Sequence, residues 1–316
     1  MKKNIKKIFI VLFLILVLTG CTQVLKDNKT KKAAFYENDS VKITLYQNIL
    51  CQPTDKGLVK EYKKYKKQVD ITKLPKCESF KISDSKYDGV WETVFVKPLA
   101  WLIVKMNKVI KNYGFTIIIL GLLLRLILAP FTQKTAMQSE NMKAMQPEMD
   151  RINKKYEGKN DQDSMQKKSM ETMQLYKKYG VNPFSSCLFG FIQIPLLMAF
   201  YEAINRVPVI FEGKLFGLIL GSTPLKAISG GHYEYIIIVL LIVGTTFLQQ
   251  KLNKTAPTPQ SGDINPNMMG NMMVIMIAVM SINFSIALSL YWISSTCFTI
   301  VQNLIAKQIK KKKAAK

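Results

Sequence analysis

The chain has 316 residues, of which 48% are hydrophobic, and its formal net charge is +24 at pH 7. The apolar residues lie in long blocks and most lysines lie between or beyond them, which argues against a nucleic-acid-binding protein and indicates an integral membrane protein. Metal, nucleotide and other cofactor chemistry has no support, because His232 is the single histidine and the sequence has neither a CxxC motif nor a Gly-rich phosphate loop.

The N-terminus has the parts of a secretory signal peptide over residues 1–20. Four lysines precede an apolar run over residues 8–18, which is too short to span a membrane, and small residues precede Cys21. The sequence LTGC at residues 18–21 resembles the bacterial lipobox, which implies that Cys21 receives a diacylglyceryl group and becomes the new N-terminus. An ordinary signal peptide with an incidental cysteine is the alternative. Lipidation would place residue 22 outside the cell and set the orientation of every later segment.

Residues 21–89 form the predicted lipid-anchored exported segment. They are polar and rich in lysine, with a strand-like alternation of apolar residues over 41–46, so the segment is either a tether or a small module. Cys51 and Cys77 are the two cysteines able to pair here, because Cys187 and Cys297 lie within apolar segments. If the segment folds, such a disulfide would stabilise it by about 3–4 kcal/mol.

A helix with both apolar and basic residues is predicted over residues 90–111. Apolar residues at helical spacing share it with Lys97, Lys105 and Lys108, and it contains Trp91 and Trp101. Tryptophan and lysine together favour an amphipathic helix that lies in the outer membrane interface. The alternative is an ordinary helix packed against protein.

The first predicted transmembrane segment covers residues 115–131 and is about 26 Å long, just enough for a bilayer core. It runs inward, so residues 133–180 are cytoplasmic, and their ten basic residues agree with the positive-inside rule. Residues 158–161 separate two helical runs, which predicts a helical hairpin. The hairpin is rich in methionine, which suits either a surface that contacts many apolar segments or an ordinary hairpin seam.

Four further spans are predicted, at about residues 183–202, 233–249, 271–286 and 288–305. The apolar block over residues 272–305 would be about 51 Å long as one helix, which exceeds a bilayer core of about 30 Å, so it should fold back near Ser281, Asn283 and Ser285. Residues 307–316 form a basic cytoplasmic tail. The predicted fold class is therefore an all-α integral membrane protein with five transmembrane helices, a cytoplasmic helical hairpin and an outer amphipathic helix.

Arg125 is the most informative residue, because it lies near the centre of the first span and no acidic residue lies at comparable depth in any span. An arginine at that depth costs about 2.5–3.5 kcal/mol on insertion scales. One interpretation is that its side chain reaches the cytoplasmic headgroups. The other is that it faces a hydrated cavity between the helices and meets an anionic partner there.

Polar residues in other spans are candidates for lining the same cavity, although each alone is more often a helix–helix contact. They are Gln193, Thr245, Thr246, Trp292, Ser294 and Ser295. The competing function is a small-solute transporter or channel. A coupled transporter, however, should carry intramembrane carboxylates and a repeated set of broken helices, and the sequence shows neither.

Over residues 90–306 the chain resembles the YidC family of membrane protein insertases. The resemblance is carried by separated segments in a fixed order: GLLLRLILAP at 121–130, MQPE at 145–148, KKY at 154–156, NP at 182–183, QIP at 193–195 and LYW at 290–292. Together with the lipobox they are similar to the Gram-positive lipoprotein type. The turn before the last span, commonly Pro-Ala-Gly in the family, is SIA at 285–287, and the exported segment is longer than this type leads us to expect.

The resemblance implies a function and a site without bond chemistry. Arg125 takes the position of the family's intramembrane arginine in a hydrophilic groove, and Gln193 and Trp292 fall where the family has groove-lining residues. The implied protein is not an enzyme, needs no cofactor, and moves nascent transmembrane segments into the bacterial cell membrane. Its implied partners are nascent membrane proteins and membrane lipids, together with the Sec translocon, the ribosome and the signal recognition machinery, and not a specific nucleic acid.

Overall fold

The structure is a computed structural model that describes residues 23–27, 30–84, 89–159, 161–252 and 266–314. Within these ranges the side chains of 135, 139, 183–192, 266–269 and 313–314 are not described. The predicted signal peptide, Cys21, most of the linker between the third and fourth spans, and the side chain of Cys187 therefore lie outside the described residues. The chain divides into two compact units: the first holds residues up to 121, 194–240 and 280–292, and the second holds 122–193, 241–279 and 293–316.

The described elements are mostly helical. The strands are β1 (Phe35–Asn38), β2 (Val41–Thr44), β3 (Lys214–Leu215) and β4 (Leu218–Ile219). The helices are α1 (Lys56–Lys63), α2 (Lys97–Ile110), α3 (Tyr113–Lys155), α4 (Gln162–Lys178), α5 (Pro183–Asn205), α6 (Pro208–Glu212), α7 (Pro224–Ser229), α8 (Ile236–Leu252), α9 (Pro266–Ser281) and α10 (Ile286–Ala314). A π-helix, Glu92–Val96, leads directly into α2.

Residues 23–84 form a folded module, so the interpretation of this segment as a mere tether is wrong. Strands β1 and β2 pair in antiparallel register, and α1 begins where the Asp55 carboxylate accepts the Leu58 amide at 2.7 Å. The buried side chains that form the module core include Leu25, Leu45, Leu58 and Tyr62. The module has this core because apolar residues recur on one face of each of its elements. A disulfide joins Cys51 and Cys77 across it.

The helix predicted over residues 90–111 is present, but one of its lysines is not on a polar face. Lys97 is 1% exposed, and its ammonium lies 3.9 Å from the Glu92 carboxylate. A lysine can be buried in this way because a carboxylate partner on the preceding turn offsets part of the cost of desolvation. The outward surface carries exposed apolar side chains instead, among them Val94 and Val109.

Among the described residues, two helices are long and apolar enough to cross a membrane, namely α3 and the stretch Tyr233–Leu252 that contains α8. Gly270–Ser281, within α9, is apolar but shorter. The turn before the last helix lies at 282–285, as predicted from Ser281, Asn283 and Ser285, although α9 ends at Ser281 and thus before the predicted span limit of about residue 286. The next helix starts at Ile286 because the Ser285 hydroxyl accepts the Leu288 amide at 3.3 Å, which caps the helix.

Helix α3 continues without a break from the first predicted span into the hairpin. At 43 residues it is about 65 Å long, so it extends well beyond a bilayer core of about 30 Å. It pairs with α4 after a turn in which Gly158 has a φ of 73°. The last helix likewise includes most of the predicted basic tail, and the Lys310 ammonium donates to the Glu140 carbonyl of α3 at 2.8 Å.

The methionines of the hairpin divide between its seam and its surface. Met142, Met145 and Met149 are buried against Leu175 and Tyr176, so they form the hairpin seam. A second group of methionines lies on α4, and each of its members is about half exposed: Met165, Met170 and Met173. The seam interpretation is therefore confirmed for the first subset, and a surface that contacts apolar segments stays a prediction for the second.

Candidate functional site

The site is built around Arg125, which lies in the second unit on α3. Its side chain is 4% exposed. The Nε group donates to Ser295 Oγ on α10 at 2.6 Å, and Nη2 donates to Gln193 Oε1 on α5. Three helices that are distant in sequence therefore meet at one guanidinium. This geometry does not fit a side chain that extends to the headgroups.

A second polar contact lies two helical turns further along the same pair of helices. Gln302 Nε2 donates to the Ala129 carbonyl at 3.1 Å, and its amide exchanges hydrogen bonds with Thr132 Oγ1 at 2.9–3.0 Å. Arg125 to Thr132 and Ser295 to Gln302 both advance by seven residues, or about 10.5 Å. Helices α3 and α10 therefore run in the same direction, as the predicted first and last spans should.

A polar stripe on α10 connects the two contacts. Ser295, Thr299 and Gln302 recur at helical spacing and are 1%, 3% and 6% exposed. On an otherwise apolar helix, polar side chains at this spacing form hydrogen bonds to neighbouring helices, as Ser295 and Gln302 do with α3. Thr132 and Gln302 were not predicted from the sequence, but their spacing of seven residues from Arg125 and Ser295 was a signal that could have revealed them.

The electrostatics of the site follow from the chemistry of its hydrogen-bond partners. Ser295 and Gln193 are neutral, so these bonds orient the guanidinium without cancelling its charge. Positive charge among helices of low polarity attracts an anionic or strongly polar oxygen more strongly than it would in water. The arrangement can therefore hold an acidic or carbonyl oxygen.

The other predicted residues are placed as follows. Trp292 belongs to the first unit, where its ring lies 6.1 Å from that of Phe284. Thr245 Oγ1 donates to the Leu241 carbonyl of its own helix at 2.7 Å, and Thr246 and Ser294 are buried. The structure thus brings together Arg125, Gln193 and Ser295. Among the described residues, no group of three or more His, Cys, Asp and Glu could hold a metal ion.

Two ion pairs connect the two helices of the hairpin. Lys178 lies 2.8 Å from Glu148, and Lys155 lies 2.5 Å from Glu171. Hydrogen bonds from these lysines lower the pKa of each carboxyl below its usual range. The pairs are exposed to solvent, so each adds little stability, but together they hold α4 in register with its methionine face outward.

Comparison with known proteins gives a consistent result. A family model described as 60Kd inner membrane protein matches residues 105–314. The Membrane protein insertase YidC of Oceanobacillus iheyensis is 38% identical over 225 residues, which is 69% of this chain and 84% of that protein. Membrane protein insertase MisCA of Bacillus subtilis is 38% identical over 240 residues, which is 74% of this chain and 86% of that protein.

A solved structure shows a similar fold. The active YidC insertase, a crystal structure with the first transmembrane domain resolved, superposes with a TM-score of 0.50 at 22% identity. The match covers 76% of this chain and 49% of that chain, so this chain spans about half the length of the solved one. The family model begins at residue 105, which leaves the module of residues 23–84 outside it.

Proposed function

The chain belongs to the YidC family of membrane protein insertases, and on that premise we propose that Arg125 is the central substrate contact of a hydrophilic groove. The protein is a membrane protein insertase of the cell membrane and not an enzyme. Its substrates are nascent membrane proteins. In our proposal they pass from the cytoplasm into the bilayer through this groove.

The observation that supports the proposal is the buried guanidinium held by two neutral oxygens. A nascent transmembrane segment often carries acidic or polar residues in the flank that must cross the membrane, and moving them through hydrocarbon costs several kcal/mol. Gln193 and Ser295 hold the guanidinium of Arg125 in place, so its positive charge lowers this cost while the flank crosses the membrane. The apolar part of the substrate then partitions into lipid, which supplies the free energy for insertion.

The polar stripe of α10 provides a path toward Arg125. In this proposal the flank first meets Gln302 and Thr132, two turns from Arg125, and then exchanges hydrogen bonds with Gln193 and the guanidinium. Trp292 contributes an apolar ring with one N–H donor, which suits the boundary between a polar flank and an apolar helix. The exposed methionine face of α4 suits the first reception of substrates, because flexible thioethers adapt to apolar segments of different shape.

Photo-crosslinking tests the assignment of Gln193 and Trp292 as substrate contacts. We expect a photoreactive amino acid at either position to capture a stalled nascent chain that has one apolar segment and an aspartate-containing N-terminal flank. Val109 on α2, 84% exposed, is the matched control, because it is accessible and apolar yet outside the proposed groove. Equal capture from all three positions would contradict the assignment.

We further propose that five spans cross the membrane, with residue 22 outside and the C-terminus inside. Long apolar segments, the basic hairpin and the parallel run of α3 and α10 support this topology. In a Cys187→Ser/Cys297→Ser background, an impermeant thiol reagent applied to intact cells should modify Ser229→Cys but neither Lys159→Cys nor Lys312→Cys. Modification at position 159 from outside would overturn the topology.

The lipoprotein assignment is a separate proposal that depends on the LTGC sequence at residues 18–21. Cys21→Ser should block both acylation and cleavage, because diacylglyceryl transfer needs the thiol. Labelling with a radioactive fatty acid and measuring the mass of the precursor test this expectation. Incorporation into the mutant at the wild-type level would show that Cys21 is incidental. The Sec translocon, the ribosome and the signal recognition machinery are further partners that we propose from the family alone.

A further inference from the structure

The module of residues 23–84 has a basic face that the insertase function does not explain. Buried residues recur at Leu58, Tyr62, Tyr65 and Val69, on one side of α1 and the turns that follow it. Lysines recur on the opposite side with the same spacing, at residues 56, 60, 63 and 67, and all four are exposed. We call these four lysines the basic face.

The charge of this region is strongly one-sided. Residues 56–81 contain nine lysines and three carboxylates. Glu61 pairs with Lys64 at 2.6 Å, and the Asp70 carboxylate accepts hydrogen bonds from Thr72. Among the described residues, none of the four lysines of the basic face forms an ion pair, so their charge is available to an anionic partner.

The start of the module lies beside the end of the basic face. Gln68 Nε2 donates to the Lys26 carbonyl at 2.7 Å, and the Lys26 amide donates to Gln68 Oε1 at 3.3 Å. Gln68 follows Lys67 directly. Lys26 is five residues from Cys21, at most about 18 Å of extended chain. A lipid on Cys21 would therefore enter the bilayer close to this end of the basic face.

The other end of the module also lies at a predicted membrane surface. The short 3₁₀ turns Cys77–Ser79 and Ile82–Asp84 pack on α2, the helix predicted to lie in the outer interface. The module would thus meet the outer leaflet at both ends, through the proposed lipid anchor at one end and through α2 at the other.

We propose that the basic face binds the anionic headgroups of phospholipids in the outer leaflet. The inference depends on the proposed lipid anchor and outward orientation. The diacylglyceryl anchor and the transmembrane spans already attach the chain to the membrane, so the basic face would set how the module lies on the leaflet by contact with anionic phosphates. Lysine suits this role because its long apolar stem lies along the interface while the ammonium contacts phosphate. Because the proposed lipid anchor lies close to the basic face, we favour a phospholipid over an anionic polymer of the cell envelope as the partner.

Lysine footprinting of the full-length protein in nanodiscs tests the proposal. An amine-acetylating reagent is applied in nanodiscs of pure phosphatidylcholine and in nanodiscs that contain phosphatidylglycerol, and the modification rate of each lysine is read by peptide mass spectrometry. Lysines of the basic face should react about fivefold more slowly with phosphatidylglycerol present, and high salt should remove the difference. Lys154, at the far end of α3, is the internal reference and should react equally in both.

A triple variant and its matched control test whether the lysines of the basic face bind the lipid together. Lys60→Gln/Lys63→Gln/Lys67→Gln should abolish the lipid-dependent protection of Lys56, whereas Lys154→Gln/Lys159→Gln/Lys168→Gln should leave it unchanged. Equal rates for the basic face in both nanodiscs would overturn the proposal. Protection by soluble poly(glycerol phosphate) but not by phosphatidylglycerol would replace lipid with an anionic polymer. Footprinting does not require insertion, so failure of the nascent-chain crosslinks would count against the proposed groove alone.

Discussion

Replacing Arg125 with alanine should lower the insertion of substrates with acidic flanks by about 10- to 100-fold, while Arg125→Lys should retain much of the activity. A hydrogen bond to a charged group is worth about 1.5–3 kcal/mol, and each 1.4 kcal/mol changes a rate about tenfold. Lysine keeps the charge and can still donate to Gln193 or Ser295. We infer that charge matters more here than the planar geometry of the guanidinium.

Complementation of an insertase-depleted strain provides the measurement, with protein levels checked by immunoblot. Arg151→Ala is the matched control, because Arg151 lies on the same helix but is exposed within the hairpin. Arg125→Ala should still accumulate, since it removes a costly intramembrane charge. Full growth with Arg125→Ala would refute the central role of this residue. Loss of the protein itself would instead indicate that Arg125 is needed for folding.

Replacing Arg206 with methionine should destabilise the protein by about 3–5 kcal/mol, because it takes the arginine counter-charge from the buried Glu202 carboxylate and leaves Glu92 with the more distant Lys97. Arg206 is 1% exposed in the first unit. Its Nη1 lies 2.6 Å from Glu92 Oε2, and its Nη2 lies 2.8 Å from Glu202 Oε2. Trp91 Nε1 donates to the other oxygen of Glu202 at 3.1 Å. This network joins the π-helix to the end of α5.

The Arg206 network also reaches the module of residues 23–84. The Leu50 amide, next to the disulfide-bonded Cys51, donates to the Arg206 carbonyl at 2.8 Å. With its amide oriented to satisfy both groups, Asn48 accepts from Arg206 Nη2 at 2.9 Å. Loss of the arginine side chain should therefore loosen the contact between the module and α5.

The midpoint of heat-induced aggregation in detergent measures this effect. Lys214→Met is the matched control, because Lys214 forms an ion pair with Asp39 in the same unit but both side chains are about half exposed. An exposed pair contributes no more than about 1 kcal/mol, so the midpoint of the control should change little. Similar midpoints for the two variants would show that the Arg206 network does not stabilise the fold. Arg206→Met/Glu202→Gln should recover part of the loss.

Local sequence was sufficient for the features that depend on neighbours along the chain. The lengths of the apolar blocks and the turn signals at residues 158–161 and 282–285 indicated helices, because hydrophobic periodicity and capping act within a few turns. The spacing of Leu58 and Tyr62 carries the same kind of signal, but no helix was predicted there because the segment is polar and rich in lysine. Arg125 was identifiable because a charge at the centre of an apolar segment is anomalous without any knowledge of its surroundings.

Contacts between distant residues were decided only by the tertiary structure. The sequence could nominate Gln193 and Ser295 but could not say that both bind Arg125, since the three residues lie on helices separated by 68 and 170 positions. The same holds for the Cys51–Cys77 bridge and for the division of the methionines between seam and surface. Lys97 shows the reason most directly. Its sequence neighbours suggested an exposed lysine, but in the folded structure it is buried beside Glu92. The Glu92 carboxylate offsets part of the cost of burying the ammonium, and this contact is visible only in the tertiary structure.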